Sequence, residues 1–257
     1  MIKTNYHVHT HRCKHAVGRD RDYVEQAIKA GFSEIAFTDH SPWPLLPQET
    51  GMIRMQLSSL PEYISSLRNL REEFKDQISI KIGLECEYFA GRMDWLKGAI
   101  HEYGLDYVIL GNHFHEFEAQ NRYYSHYQDK KNLLADYLSD SLAAIDSGVY
   151  TYFAHPDIFV HSLKQWDEDS EHISRVILEA CKKAGLPVEY NLGGVRNQHE
   201  EMCYPYPKFW QIASEVGNEV MVGIDAHNPM DFHDKKTIRE AVLFLNSLGI
   251  EVSQRKL

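Results

Sequence analysis

Met221-Val222-Gly223-Ile224-Asp225-Ala226-His227, residues 221–227, is a short apolar run that ends in an acid and an imidazole. Side chains alternate along an extended chain, so Asp225 and His227 share one face. Six earlier runs end alike. Tyr6–Val8 carries His7 and His9, Ile35–Phe37 reaches Asp39-His40, and Ile80–Leu84 reaches Glu85. Val108–Leu110 leads to His113, Tyr152–Ala154 to His155-Pro156-Asp157, and Val188–Tyr190 to Asn191 and Arg196. Metal-ligating residue types after every strand-like run imply parallel strands whose C-termini converge on one rim. An open sheet would gather its site at a single switch point. Closure into a barrel is favoured, because residues from the first and last runs must meet.

The intervening segments have helical spacing. Tyr23, Ala27, Ile28 and Ala30 fit a helix ended by Gly31, and Leu60, Ile64, Leu67, Leu70 and Phe74 form an apolar stripe. Further helices are expected over Trp95–Tyr103, Leu133–Ile145, Ile173–Ala184, Phe209–Val216 and Ile238–Leu248, several of them stopped by a following glycine. The strand–loop–helix alternation recurs seven times with no Gly-, Pro- or Ser-rich linker and no repeat, which predicts one domain over residues 1–257. The long loops Ser41–Ser59 and Phe114–Lys131 (the latter with Phe114, Phe117, Tyr123, Tyr124 and Tyr127) follow the second and fourth strands, on the rim that shapes specificity.

Composition narrows the function. The chain of 257 residues is 43% hydrophobic and 25% charged, as a protein with a substantial core should be. A formal net charge of −10 argues against broad binding to nucleic acid, which needs a basic surface to displace counterions. It leaves room for a small anionic substrate if bound metals set the local field. No run approaches a membrane span and the N-terminus lacks a signal pattern, so a cytoplasmic location is expected. The cysteines at 13, 86, 181 and 203 form no CxxC pair and are expected as reduced thiols. Cys13 lies inside the first cluster, where it could touch a metal or simply be buried.

Of 15 histidines, those at 7, 9, 11, 15, 40, 113, 115, 155 and 227 stand in or beside the run ends. Imidazoles and carboxylates without paired cysteines suit Zn, Mn or Fe in hydrolytic sites. His7 and His9 share a strand face, and Glu85 has two oxygens with which to bridge two ions. Any one of His40, His113 and His155 could be a structural histidine. Asp39 should point away from its neighbour His40 and orient an imidazole from behind. Arg196, after Asn191-Leu192-Gly193-Gly194, is read as part of a flexible loop and suits bidentate recognition of phosphate.

These motifs carry a resemblance. His7-Val8-His9-Thr10, Cys13-Lys14-His15, Thr38-Asp39-His40, Gly83-Leu84-Glu85, His113-Phe114, His155-Pro156-Asp157 and Gly223-Ile224-Asp225-Ala226-His227 resemble, in order, those of the polymerase and histidinol phosphatase (PHP) superfamily. The Glu189–Arg196 segment and Pro205–Pro207 further resemble its histidinol-phosphatase branch. The chain departs from the pattern at Asp39, where many relatives carry Glu, and at His113-Phe114-His115, where His115 is an additional imidazole.

The resemblance implies a distorted (β/α)7 barrel with three divalent ions. His7, His9, Glu85 and Asp225 would hold the first. Glu85 would bridge to a second, completed by His113 and His155, and His15, His40 and His227 would hold the third. The implied reaction is hydrolysis of L-histidinol phosphate in histidine biosynthesis, with a hydroxide shared by two metals as nucleophile. Asp225, His227 and His233 are the candidate proton donors to the leaving group, and Arg196, His115 and Glu87 the candidate substrate contacts. A nucleotide phosphatase of the same superfamily is the nearest alternative, and a non-catalytic metal-binding barrel a remoter one.

Overall fold

A computed structural model describes residues 2–45, 53–115, 123–124, 127, 129–196 and 202–256. Phe117, His126 and His199 fall outside the described residues. Strands β1 (Thr4–Asn5), β2 (Glu34–His40), β3 (Ser79–Cys86), β4 (Tyr107–Gly111), β5 (Phe153–Ala154), β6 (Val188–Asn191) and β7 (Val220–Gly223) pair in sequence order. Every pairing is parallel. The ring then nearly closes. Val8 bridges Ala226, with His9 N donating to Ala226 O at 2.9 Å and Ala226 N to His7 O at 3.2 Å. Asn5 spans the same joint, accepting from Ile224 N at 2.8 Å and donating to His7 O at 3.0 Å.

The strands are buried throughout β2 and β4, as expected when helices cover one face and a filled interior the other. Tyr6, Ala36, Tyr107, Ile109, Tyr152, Ala154 and Met221 form a cluster separate from the main core. The hydroxyls of Tyr107 and Tyr152 both donate to Tyr6 O, at 2.7 and 2.9 Å, which joins opposite walls. The larger core packs outward-facing residues such as Ile35, Phe37 and Val108 against the helices. Here Phe37 meets Tyr23 edge to face.

Helices α1 (Asp20–Ala30), α2 (Leu60–Glu73), α3 (Met93–Tyr103), α4 (Lys130–Asp146), α5 (Glu168–Ala184), α6 (Leu192–Arg196), α7 (Pro207–Val216) and α8 (Lys235–Ser247) complete the alternation. Several begin before the expected position. Their first turns are polar and carry no apolar period, yet Asp129, Asp167 and Asp234 cap them by accepting backbone N–H groups. Two expectations need correction. Tyr6–Val8 is not a ladder strand: β1 ends at Asn5 and only Val8 pairs beyond it. The segment ending at Arg196 is not a loop but the single turn of α6, whose Gly194 N donates to Asn191 Oδ1 at 3.0 Å.

Candidate metal centre

Strand register places the ligands. His40 stands opposite Glu85 in the β2–β3 ladder, so two candidate donors arrive side by side. His7 and His9 enter from beyond β1, His113 follows β4, His155 follows β5, and Asp225 and His227 follow β7. His155 (φ 32°) and Asp225 (φ 52°) hold left-handed backbone, uncommon for non-glycine residues and typical of functional positions. Glycines clear the space. A Cβ at Gly111 would lie 2.4 Å from Glu85 Oε1, and one at Gly193 would lie 2.5 Å from Asp225 Oδ2.

Glu85 is 1% exposed, and its two oxygens face different imidazoles. Oε1 lies 2.8 Å from His155 Nε2 and 3.2 Å from His113 Nε2. Oε2 lies 3.1 Å from His40 Nδ1, 3.4 Å from His9 Nε2 and 3.5 Å from His7 Nε2. Asp225 Oδ1 is 3.2 Å from His9 Nε2 and 3.5 Å from His7 Nε2. Yet Glu85 Oε2, Asp225 Oδ1 and His40 Nδ1 are buried without a hydrogen-bond partner. Buried acceptors left so are costly unless a cation meets them.

Two imidazole pairs turn their nitrogens towards one another. His7 Nε2 lies 3.1 Å from His9 Nε2, and His15 Nε2 lies 2.9 Å from His227 Nε2. The donors fall into groups that include His7, His9 and Asp225; His7, Glu85 and His155; and His15, His40 and His227. Imidazole nitrogens and carboxylate oxygens in such groups fit divalent ions of the zinc, manganese and iron class. Cys13 is buried and forms a further group with His9 and His227.

The electrostatics agree with that donor set. Burial pushes the Glu85 carboxyl up, but His113, His7 and His40 outweigh it and hold it well below the usual range. Burial likewise opposes ionisation of Asp225, and His7 and His227 reverse it. His7 and His9 are held well above the ordinary imidazole value despite burial, mainly by Glu189 and Asp225 in turn. An anionic field that draws protons onto imidazoles will draw divalent ions in their place, releasing the protons.

His15, His40, His113, His155, Asp225, His227 and Arg196 line a cavity of about 520 Å³ with His9 and Glu85. Arg196 Nη2 donates to Ile224 O at 2.7 Å and Asp225 O at 2.8 Å, while Nη1 is buried without a partner.

His7 does not line the cavity but meets Glu85 and Asp225 with Nε2, both at 3.5 Å, and three further residues expected at the site are not brought to the lining. His233 Nε2 pairs with Gln26 Oε1 on α1 at 3.0 Å, away from the cavity, so its placement gives no support to a proton-donor role. His115 turns to α4, where Nδ1 meets Asp140 Oδ2 at 3.0 Å. Glu87 is fully buried, and its carboxylate accepts from Trp43 Nε1 at 2.8 Å and from both terminal nitrogens of Arg54 at 2.8 and 3.2 Å. Its remaining contact is with His113 Nδ1 at 3.2 Å, so it orients an imidazole rather than meeting a ligand in the cavity. Burial pushes Glu87 up, yet Arg54 and His113 bring it down to about 2. Asp39 stands behind His9, with Oδ1 3.6 Å from Nδ1.

Glu189 had no assigned role in the sequence reading. Its oxygens lie 2.9 and 3.1 Å from His7 Nδ1, and Gly223 leaves room for it, since a Cβ there would lie 1.7 Å from Oε1. An acid inside the apolar run 188–190 was the available signal. By accepting a hydrogen bond from Nδ1–H, Glu189 leaves Nε2 of His7 as the ligand atom. Glu189→Gln is expected to weaken metal affinity about 10- to 100-fold, read by chelator competition. Unchanged affinity would show that the contact does not tune His7.

The family model described as PHP domain matches residues 5–192, well over half the chain. The chain belongs to the PHP domain family. A Deinococcus radiodurans PHP relative named "Probable histidinol-phosphatase" is 30% identical over 231 residues, 87% of this chain and 85% of that protein. The Bacillus subtilis histidinol-phosphatase is 27% identical over 258 residues, 90% of this chain and 96% of its own length. Among solved structures, the histidinol phosphate phosphatase of Lactococcus lactis, complexed with zinc, L-histidinol and phosphate, superposes with a TM-score of 0.75 at 24% identity. That superposition covers 97% of this chain and 95% of the other, and shows the shared fold.

Proposed function

We propose that this chain is a metal-dependent histidinol-phosphate phosphatase, releasing L-histidinol and phosphate. The observation that carries the reading is Glu85, whose two oxygens face separate imidazole sets beside Arg196 in one cavity. The names of its curated relatives support the substrate.

His7, His9, Glu85 and Asp225 would hold one ion, Glu85, His113 and His155 a second, and His15, His40 and His227 a third. When bound there, the ions supply Lewis-acid charge to the phosphoryl oxygens and lower the pKa of water towards neutrality. Arg196, anchored through Nη2 on the Ile224 and Asp225 carbonyls, would orient the phosphoryl group. Asp225 and His227 both line the cavity, and because Asp225 is held ionised, His227 is the candidate to protonate the leaving oxygen. Glu87 and Glu189 would fix the rings of His113 and His7 from outside. None of the four cysteines is in a disulfide, which supports a reducing, cytoplasmic setting.

Purified protein is expected to carry about three divalent ions per chain and to release phosphate from L-histidinol phosphate in preference to nucleotide bisphosphates. Elemental analysis and a phosphate-release assay on the same sample check both. Occupancy near one, unchanged by added Mn or Zn, would sink the three-ion arrangement. A preference for nucleotides would reassign the substrate within the family.

A further inference from the structure

The outer wall of the cavity is built from residues outside the proposed ligand groups. Val17 and Ile158 contribute apolar surface, Tyr123 and Tyr204 aromatic surface, and Arg196 and Asp231 opposite charges. Among the described lining residues, Asp231 is the one acid outside the ligand groups. Its position is fixed, because Oδ2 accepts from the backbone N–H of His227 and of Asn228, both at 3.0 Å. Arg196 Nη2 stands 3.7 Å from that same oxygen. A guanidinium and a carboxylate therefore stand side by side at the cavity, with side chains 22% and 17% exposed.

The phosphate ester of a 2-amino alcohol carries its own charges in the matching arrangement. Its ester oxygen and its ammonium sit on adjacent carbons, so groups that read both must be neighbours on the protein. Metal ions and Arg196 are all positive, and an ammonium drawn in behind the phosphoryl group meets repulsion from each. An acid next to the phosphoryl clamp offsets that repulsion.

We infer that Asp231 is a specificity-determining residue that reads the ammonium of L-histidinol phosphate, while the neighbouring Arg196 meets the phosphoryl oxygens. The inference rests on the phosphatase reading above and adds the residue that tells the amino ester from its counterpart without the amine. Tyr123, Tyr204, Val17 and Ile158 then face the remaining ring of the alcohol.

Asp231 also holds the turn at Asn228, so the test must separate charge from capping. Asp231→Asn keeps an oxygen to accept both N–H groups and removes only the charge. Phosphate release is measured for parent and variant on L-histidinol phosphate and on imidazolylpropyl phosphate, its counterpart lacking the amine. L-histidinol and inorganic phosphate are each added as inhibitors.

The parent should favour the amino ester. Asp231→Asn should shrink that preference on the order of 10- to 100-fold, mainly through KM, the scale of losing a charge-assisted hydrogen bond. Inhibition by L-histidinol should weaken while inhibition by phosphate stays close to the parent value. Equal losses on both esters would mean that Asp231 acts only through the turn, and would overturn the inference. A parent that hydrolyses both esters equally well would overturn it without any variant. A parent that hydrolyses neither would remove the phosphatase reading and the inference with it.

Discussion

Glu85→Ala should reduce phosphate release about a thousandfold or more, equivalent to about 4 kcal/mol of transition-state stabilisation, while the barrel stays folded. The size follows from its position between two donor sets, with Oε1 facing His113 and His155 and Oε2 facing His7, His9 and His40. One substitution therefore removes a donor from two groups at once. The fold should survive, because the main apolar core between sheet and helices does not depend on this side chain. Phosphate release, metal content and the thermal midpoint of the same preparation check the result. Activity within tenfold of the parent with all ions retained would show that Glu85 is not shared.

The second large effect concerns Arg196. Arg196→Ala is expected to lower kcat/KM on L-histidinol phosphate roughly 30- to 1000-fold, on the order of 2–4 kcal/mol. The guanidinium is planar and already held by two carbonyls through Nη2, so little order must be gained when it meets a phosphoryl group. Lys cannot reproduce that fork, and Arg196→Lys should restore only part of the loss. Metal content belongs beside the kinetics, because one of the two carbonyls is that of Asp225, whose φ is 52°. Near-parental turnover in Arg196→Ala would move phosphate recognition elsewhere in the cavity.

The barrel and most of the donor cluster were legible because parallel strands impose one rule: a side chain at or just past the C-terminal end of a strand can face the rim. His40, Glu85, His113, His155 and Asp225 follow that rule. Where an expected residue does not reach the cavity lining, a partner elsewhere along the chain holds it. His115 is two residues past His113, but the Phe114–Tyr123 bridge folds the chain back and hands His115 to Asp140. Glu87 is two residues past Glu85, yet Arg54 from the preceding loop locks it away. His233 ends a one-turn segment that points it at α1. Glu189 was overlooked for the same reason, since its partner His7 lies 182 positions away. Asp231 reads in sequence as an ordinary turn cap after Asn228-Pro229, and only the cavity gives it a second meaning.

The joint between the two ends of the sheet has a thermodynamic consequence. It is held by one bridge at Val8 and Ala226, by the Asn5 amide and by Val17 N donating to His227 O at 2.8 Å, whereas β2 and β3 are paired over seven positions. His7 and His9 stand on one side of that joint and Asp225 and His227 on the other. An ion drawing ligands from both sides would lose Asp225 or His227 whenever the joint opened. Its binding free energy would then count as closing free energy, and a thinly paired part of the sheet would be tied shut in proportion to ion concentration. A chelator would act on such a molecule as a local denaturant, beginning where the first strand meets the last.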